Sequence, residues 1–210
     1  MMSYIYEKNG SKIYEESFST IRQETDLTGF VNGEEKVVVR MIHASGMTNI
    51  SKSVYFSENM VPIARKALQN GANILCDTNM VKYGITNSRL PAQNKIICML
   101  GDDKINAISQ QIKNTRTAAG VELWKPFISG SIVAIGNAPT ALFYLLDMLK
   151  NKECPQPAAI IGFPVGFVGA SESKEALYDF NSIPFCIIKG RLGGSAMTVA
   201  AINALANERE

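Results

Sequence analysis

Residues 130–150, GSIVAIGNAPTALFYLLDMLK, join a short apolar run to a longer segment with helical spacing. The run at 131–135 is bounded by turn residues, which is typical of a strand buried on both faces. The segment from residue 138 onward carries apolar residues at the spacing of a helix that packs on a core. A strand that leads directly into a helix is the repeating unit of a parallel α/β sheet.

The same alternation runs along the chain from residue 57. Apolar runs that predict strands lie at 73–76, 95–100, 131–135, 158–162 and 185–188. Segments that predict helices lie at 58–70, 104–124, 138–152, 173–180 and 195–208. Ser57 is expected to cap the first of these helices, and Gly71 to end it. The pattern predicts a flavodoxin-like, doubly wound parallel sheet of about five strands with helices on both faces.

The first 56 residues precede this alternation and predict a helical N-terminal extension. Residues 13–25, IYEESFSTIRQET, have helical spacing. Residues 33–45, GEEKVVVRMIHAS, are ambiguous, because three consecutive valines favour a strand whereas the acidic start and the remaining spacing allow a helix. We expect a helix here. With no linker, internal repeat or low-complexity segment, residues 1–210 are predicted to form a single domain.

Composition limits the classes of partner. Hydrophobic residues make up 46% and charged residues 19% of the chain, and the formal net charge is +2. No basic arm or basic stripe with interleaved aromatic residues is present, so nucleic-acid binding has little support. No apolar run is long enough to span a bilayer, and the N-terminal sequence lacks the apolar core of a signal peptide. We therefore expect a cytoplasmic protein that contacts neither nucleic acid nor membrane.

The four cysteines are far apart and form no CxxC pair. Cys76, Cys98 and Cys186 lie in apolar runs, and Cys154 lies outside them. Buried, reduced thiols are the expected outcome in a cytosolic core. With a single histidine and no paired cysteines, the sequence predicts no metal site.

The segments that follow the predicted strands are rich in small and polar residues. In open α/β sheets, ligands bind beyond the carboxyl ends of the strands. Three of these segments enter a helix directly, through Asn137-Ala138-Pro139, Gly169-Ala170-Ser171 and Gly193-Gly194-Ser195. Exposed amides at such helix starts can bind an anion, although the glycines can equally serve only tight turns. Neither GxGxxG nor a phosphate-binding loop is present, so a nucleotide site has little support.

Two arginines and one histidine complete the candidate chemistry. Arg116 in NTRTAA and Arg191 in GRLGG can donate forked hydrogen bonds to carboxylates, although a solvated surface position explains either one alone. His43, in VVRMIHASG, is the single histidine of the chain. Its imidazole suits proton transfer near neutral pH, but a single histidine can also be an ordinary core residue.

Seven motifs, in order, resemble those of the precorrin-8X methylmutase family. They are IYEESFSTIR, RMIHASG, ILCDTNMVKYGIT, NTRTAA, GSIVAIGNAPTALF, PAAIIGFPVGFVGASESKEAL and GRLGGSAMT. The match runs from Tyr14 to about Leu205, which is nearly the whole chain. The resemblance implies a flavodoxin-like isomerase of corrin (cobalamin) biosynthesis. Such an enzyme moves a methyl group from C-11 to C-12 of precorrin-8X or cobalt-precorrin-8, giving hydrogenobyrinate or cobyrinate.

The resemblance also assigns site residues. It implies that His43 is the proton donor and acceptor, and it places Ser17 and Arg40 near the substrate. Arg40 precedes His43 by three residues, so on a helix it lies on the same face and lowers the pKa of His43. A flat macrocycle edged with carboxylates also needs anion-binding edges. The remaining substrate-binding residues that we expect are Arg116, Thr117, Asn137, Gly193, Gly194 and Ser195.

No redox or group-transfer cofactor is implied, and cobalt enters only as part of the substrate. The resemblance further implies a homodimer, and transient contacts with neighbouring enzymes of the corrin pathway are expected. Two alternatives stay open at this point. One is a corrinoid-binding or channelling protein without turnover, and the other is an α/β enzyme that acts on a phosphorylated small molecule.

Overall fold

In the computed structural model, which describes residues 4–207, six strands form one mixed sheet. They are β1 (Val54–Phe56), β2 (Ile74–Cys76), β3 (Ile96–Ile97), β4 (Ile132–Ile135), β5 (Ala159–Gly162) and β6 (Phe185–Ile188). Their order across the sheet is β1-β6-β5-β4-β2-β3. Strands β2 to β6 run parallel, whereas β1 is antiparallel to β6, with Val54 opposite Ile188.

Helices cover both faces of this sheet. Those within residues 4–207 are α1 (Gly10–Glu24), α2 (Glu34–Ser45), α3 (Met60–Gln69), α4 (Asn79–Gly84), α5 (Ile105–Gln111), α6 (Arg116–Glu122), α7 (Pro139–Lys150), α8 (Ala170–Phe180) and α9 (Ser195–Ala206). Short 3-10 helices lie at Thr48–Lys52 and Asn87–Arg89. Alternate side chains of one strand enter opposite cores. Ile132 and Ala134 of β4 pack with α2, α3 and α9, while Val133 and Ile135 pack with α6, α7 and α8.

The α/β architecture with helices on both faces is confirmed, and five strands of the sheet are parallel; the sheet has six strands rather than about five and is mixed, because β1 runs antiparallel to β6. The additional strand, β1, is only three half-buried residues long and follows a 3-10 turn. Such a short segment carries no readable alternation, so its pairing with β6 is decided by tertiary contacts. The predicted strand at 95–100 is also longer than the observed β3, which has two residues at the other edge of the sheet.

The helical N-terminal extension is confirmed. The ambiguous residues 33–45 form α2, and the valines at 37–39 are all buried because the helix packs against both α1 and α9. Gly46 ends α2 in the left-handed conformation, with φ of 68°, and its N–H donates to the carbonyl of Ile42. A residue other than glycine would be strained there.

Two details of the predicted helices are wrong. Ser57 does not cap α3, since its hydroxyl accepts the N–H of Phe185 at 2.7 Å and so joins the start of α3 to β6. The segment 104–124 is also not continuous, because α5 ends at Gln111 and α6 begins at Arg116. The side chain of Thr115 accepts the N–H of Ala118 and caps the second helix.

Candidate functional site

A cavity of about 340 Å³ lies between the N-terminal extension and α9. His43 and Arg40 of α2 line one wall, and Tyr14 of α1 lies beside them. Helix α9 forms another wall with small side chains, and the turn at residues 86–89 completes the lining. The structure therefore brings His43 and Arg40 together, as their helical spacing predicts.

The imidazole of His43 is held by one face of α1. The hydroxyl of Ser17 lies 2.8 Å from Nδ1 of His43, in a hydrogen bond whose direction depends on the tautomer. The rings of Tyr14 and Phe18 each lie with their centroids 5.2 Å from that of the imidazole. Residues 14, 17 and 18 share a helix face because they are three and four positions apart. The resemblance places Ser17 near the substrate, and that role stays a prediction; in the structure the hydroxyl of Ser17 contacts the imidazole.

The surroundings of His43 disfavour its charged form. Burial lowers its pKa below the ordinary value of 6.5, and the positive charge of Arg40 lowers the pKa further. The guanidinium of Arg40 lies over the rings of Phe18 and Tyr14, with its Cζ 5.4 and 5.8 Å from their centroids. Such stacking keeps a guanidinium near an apolar wall without removing its N–H donors. The predicted effect of Arg40 on His43 is confirmed, with burial as the larger cause.

Sequence reasoning missed Arg89 and Asn203, which also line the cavity. Asn203 lies on α9, and its Oδ1 accepts the N–H of Thr86 at 2.9 Å. The apolar residues of MTVAAINAL predict a helix face that packs on the core. The available signal was the asparagine itself, because an amide in an otherwise apolar helix needs a partner when it is buried.

The helix start at Asn137 is already occupied by an internal carboxylate. Asp77, which follows β2 and is buried, accepts the backbone N–H groups of Gly136, Asn137 and Ala138 at 3.0, 2.8 and 2.8 Å. Burial raises the pKa of Asp77, and these three hydrogen bonds oppose that rise. The anion site expected from backbone amides here is therefore filled by the protein's own side chain. The exposed side chain of Asn137 stays a predicted substrate contact.

The glycines before α9 serve close packing. A Cβ added to Gly193 would lie 2.2 Å from the carbonyl oxygen of Phe163, and the N–H of Gly194 donates to the same oxygen at 2.9 Å. Lys174 of α8 is buried and donates to the carbonyl of Leu192 at 2.6 Å; burial lowers the pKa of Lys174 to about 8. These contacts fix where α9 begins, at Ser195. The substrate-binding roles of Gly193, Gly194 and Ser195 stay predictions.

Arg116 and Thr117 lie away from the cavity of His43. They begin α6, which packs against α7 in the opposite core. Nη2 of Arg116 donates to the carbonyl of Leu100 at 3.2 Å, and the hydroxyls of Thr115, Thr117 and Thr140 contact one another at 2.8 to 3.2 Å. Arg191 is exposed, with its Cζ 5.1 Å from the ring centroid of Phe167. The binding roles of Arg116, Thr117 and Arg191 stay predictions.

The cysteines are free thiols. Cys76 and Cys186 are buried, whereas Cys98 and Cys154 are partly exposed, and burial raises the pKa of all four. Within residues 4–207, no three His, Cys, Asp or Glu side chains are grouped so that they could hold a metal ion. Over the same residues, every helix is too short or too polar to cross a membrane.

Comparison with known proteins decides the family. A family model described as precorrin-8X methylmutase matches residues 12–208. This chain belongs to the precorrin-8X methylmutase family. A precorrin-8X methylmutase of Sinorhizobium sp. is 53% identical over 207 residues, covering 98% of each chain, and one of Pseudomonas aeruginosa is 51% identical over 211 residues, covering 100% of each. A crystal structure of the precorrin-8X methylmutase of Thermus thermophilus superposes with a TM-score of 0.84 at 36% identity, covering 92% of this chain and 95% of that one.

Membership of the precorrin-8X methylmutase family sets the class of reaction. The chain is an isomerase of cobalamin biosynthesis, a methylmutase for precorrin-8X or cobalt-precorrin-8. The two alternatives, a corrinoid carrier without turnover and an enzyme for phosphorylated substrates, are set aside in favour of this activity. The cavity around His43 is the candidate active site of the methylmutase.

Proposed function

We propose that His43 lends a proton to the bound macrocycle while a methyl group moves from C-11 to C-12, and then recovers that proton. The observation that carries the proposal is an imidazole with a lowered pKa in a cavity that it shares with Arg40. Because Ser17 engages Nδ1, Nε2 is the ring nitrogen left for the ligand. In the complex, the imidazolium form of His43 gives its Nε2 proton to the macrocycle, and the neutral imidazole left behind is the base that takes the proton back.

The chemistry needs no further reactant. The migrating methyl breaks one carbon–carbon bond and forms another within the same molecule, so atoms and electrons balance without a cofactor. Protonating the conjugated ring makes the receiving carbon electron-poor, which favours the shift. Substrate carboxylates near Arg40 would raise the pKa of His43 again, because they offset the guanidinium charge. Proton transfer is thereby linked to binding.

We propose metal-free precorrin-8X as the preferred substrate. The relatives that are 53% and 51% identical are named precorrin-8X methylmutase, which supports this choice. Cobalt, where present, would belong to the substrate. We further propose a cytoplasmic homodimer that exchanges corrinoids with neighbouring pathway enzymes. Light scattering should give a mass near twice 22.9 kDa, and a monomer at micromolar concentration would contradict the dimer.

The test mixes purified protein separately with metal-free and cobalt-containing precorrin-8 and follows the absorption spectrum, because the shift alters the chromophore. His43→Asn keeps bulk and hydrogen bonding but cannot shuttle the proton, so the shift should slow by about 100-fold or more while corrinoid still binds. Ser45→Ala on the same helix is the matched control and should leave turnover unchanged. Near-normal turnover by folded His43→Asn would remove His43 from the mechanism.

A further inference from the structure

The turn that follows α4 brings a second arginine to the cavity of His43. Arg89 ends the 3-10 helix Asn87–Arg89 and lines the same cavity as Arg40. The turn is well defined, because the N–H of Arg89 donates to the carbonyl of Thr86 at 2.9 Å. Ile85, just before the turn, is buried in the core that contains α9. Arg89 is thus carried by a short, anchored segment.

Two contacts with α9 hold this turn in place. Oδ1 of the buried Asn203 accepts the N–H of Thr86 at 2.9 Å. One position before Ile85, Gly84 approaches α9 so closely that an added Cβ would lie 2.6 Å from Cγ2 of Val199. A larger residue at 84 would push the turn away from α9. The glycine and the asparagine therefore both set the position from which Arg89 reaches the cavity.

The lining of the cavity carries two cations, Arg40 and Arg89, and none of the described residues that line it is acidic. An arginine carries five N–H donors in a planar fork, and this geometry matches the two oxygens of a carboxylate. Two guanidiniums in a partly enclosed space match a ligand with carboxylates on its edge better than they match a neutral ligand.

We propose that Arg89 binds a side-chain carboxylate of the corrin substrate, as a second guanidinium beside Arg40, and that Asn203 is the residue that positions it. The inference rests on the proposed function, since it takes a corrinoid as the ligand of this cavity. With the carboxylate fixed by Arg89 and the imidazole fixed by Ser17, the macrocycle has one defined placement relative to His43. Arg89 contributes to binding and orientation, and the proton is carried by His43.

The test titrates two corrinoids into wild type, Arg89→Ala, Arg89→Lys and Asn203→Ala, with absorption as the readout. The probes are cobyrinate, which carries free carboxylates, and a cobyrinate derivative in which every carboxyl is a primary amide. Arg89→Ala should weaken binding of cobyrinate by about 10- to 100-fold and change that of the amide far less. Arg89→Lys should recover part of the loss, since an ammonium lacks the planar fork. The affinity of Asn203→Ala for cobyrinate should lie between the affinities of Arg89→Ala and wild type.

Lys150→Ala, which removes an exposed cation at the end of α7, is the matched control and should bind both probes as wild type does. Steady-state kinetics with precorrin-8X should show a raised KM in Arg89→Ala with kcat within a few-fold. The inference would be overturned if Arg89→Ala lost equal affinity for both probes, or if Arg89→Ala and Arg89→Lys bound cobyrinate as tightly as wild type. In either case, turnover of precorrin-8X by wild type would leave the proposed function intact. A wild type that neither binds cobyrinate nor converts precorrin-8X would overturn both.

Discussion

The hydroxyl of Ser17 lies 2.8 Å from Nδ1 of His43 and joins the helix of the N-terminal extension to the helix of the candidate acid. Two tautomers of the neutral ring satisfy this contact. When Ser17 accepts from Nδ1, Nε2 of the neutral ring can take a proton, and the imidazolium so formed is the acid that gives this proton to a ligand. Ser17 accepts from Nδ1 in both of these protonation states and leaves Nε2 for the ligand. Helix α1 therefore orients the imidazole of His43 through Ser17, in addition to packing against α2.

Ser17→Ala should lower kcat by about 2- to 10-fold, the cost of one ordinary hydrogen bond, while corrinoid affinity changes less. The ¹⁵N chemical shifts of the single imidazole should show a changed ratio of tautomers. Ser19→Ala, on the exposed side of the same helix, is the control. A wild-type tautomer ratio and wild-type kcat in Ser17→Ala would show that the hydroxyl has no part in orienting His43.

The single histidine allows a direct titration by NMR. In the free protein its pKa should lie below 6.5, because burial and Arg40 both oppose the positive charge. Arg40→Ala should raise the pKa without restoring 6.5, since burial is the larger cause and persists. Lys150→Ala is again the charge-matched control. A free-protein pKa at or above 6.5 would contradict this account of the site.

Sequence reasoning succeeded where the decisive interactions are local. Arg40 and His43 are three residues apart on a helix, so their proximity could be predicted from spacing alone. Arg89 could not be found in this way, because its place at the cavity depends on contacts with α9 far along the chain. Asp77 follows a strand, as ligand-binding carboxylates do, but its partners come from the loop after β4. Only the folded structure shows that this carboxylate accepts hydrogen bonds from the loop instead of binding a ligand.

Asp77→Asn should lower the free energy of unfolding by about 1–3 kcal/mol. The carboxylate accepts three backbone N–H groups, and an amide replaces one acceptor oxygen with a donor that faces them. Unfolding in urea measures the effect, with Asp147→Asn on the exposed side of α7 as the control. Equal midpoints for wild type and Asp77→Asn would show that the loop is held by other contacts.

Lys174→Met should change how stability depends on pH. The pKa of Lys174 is lowered to about 8 by burial, from 10.5 in an unfolded chain. Between those values the unfolded chain binds more protons than the folded one, so the contribution of Lys174 to the free energy of unfolding rises with pH. The Tm of wild type minus that of Lys174→Met should therefore have its lowest value below pH 8 and should increase as the pH rises towards 10. Lys150→Met is the exposed control, and a pH-independent difference would contradict the lowered pKa.

The pairing of β1 with β6 and the packing of α2 on α9 have a consequence for synthesis on the ribosome. Val54 cannot pair until Ile188 has been synthesised. Likewise, the buried face of α2 stays uncovered until the helix that begins at Ser195 has been made. The N-terminal extension thus emerges with its apolar side chains uncovered, and such surfaces are what chaperones bind. A nascent chain that stops before α9 has His43 but no opposing wall, so we expect incomplete products to be devoid of activity rather than partly active.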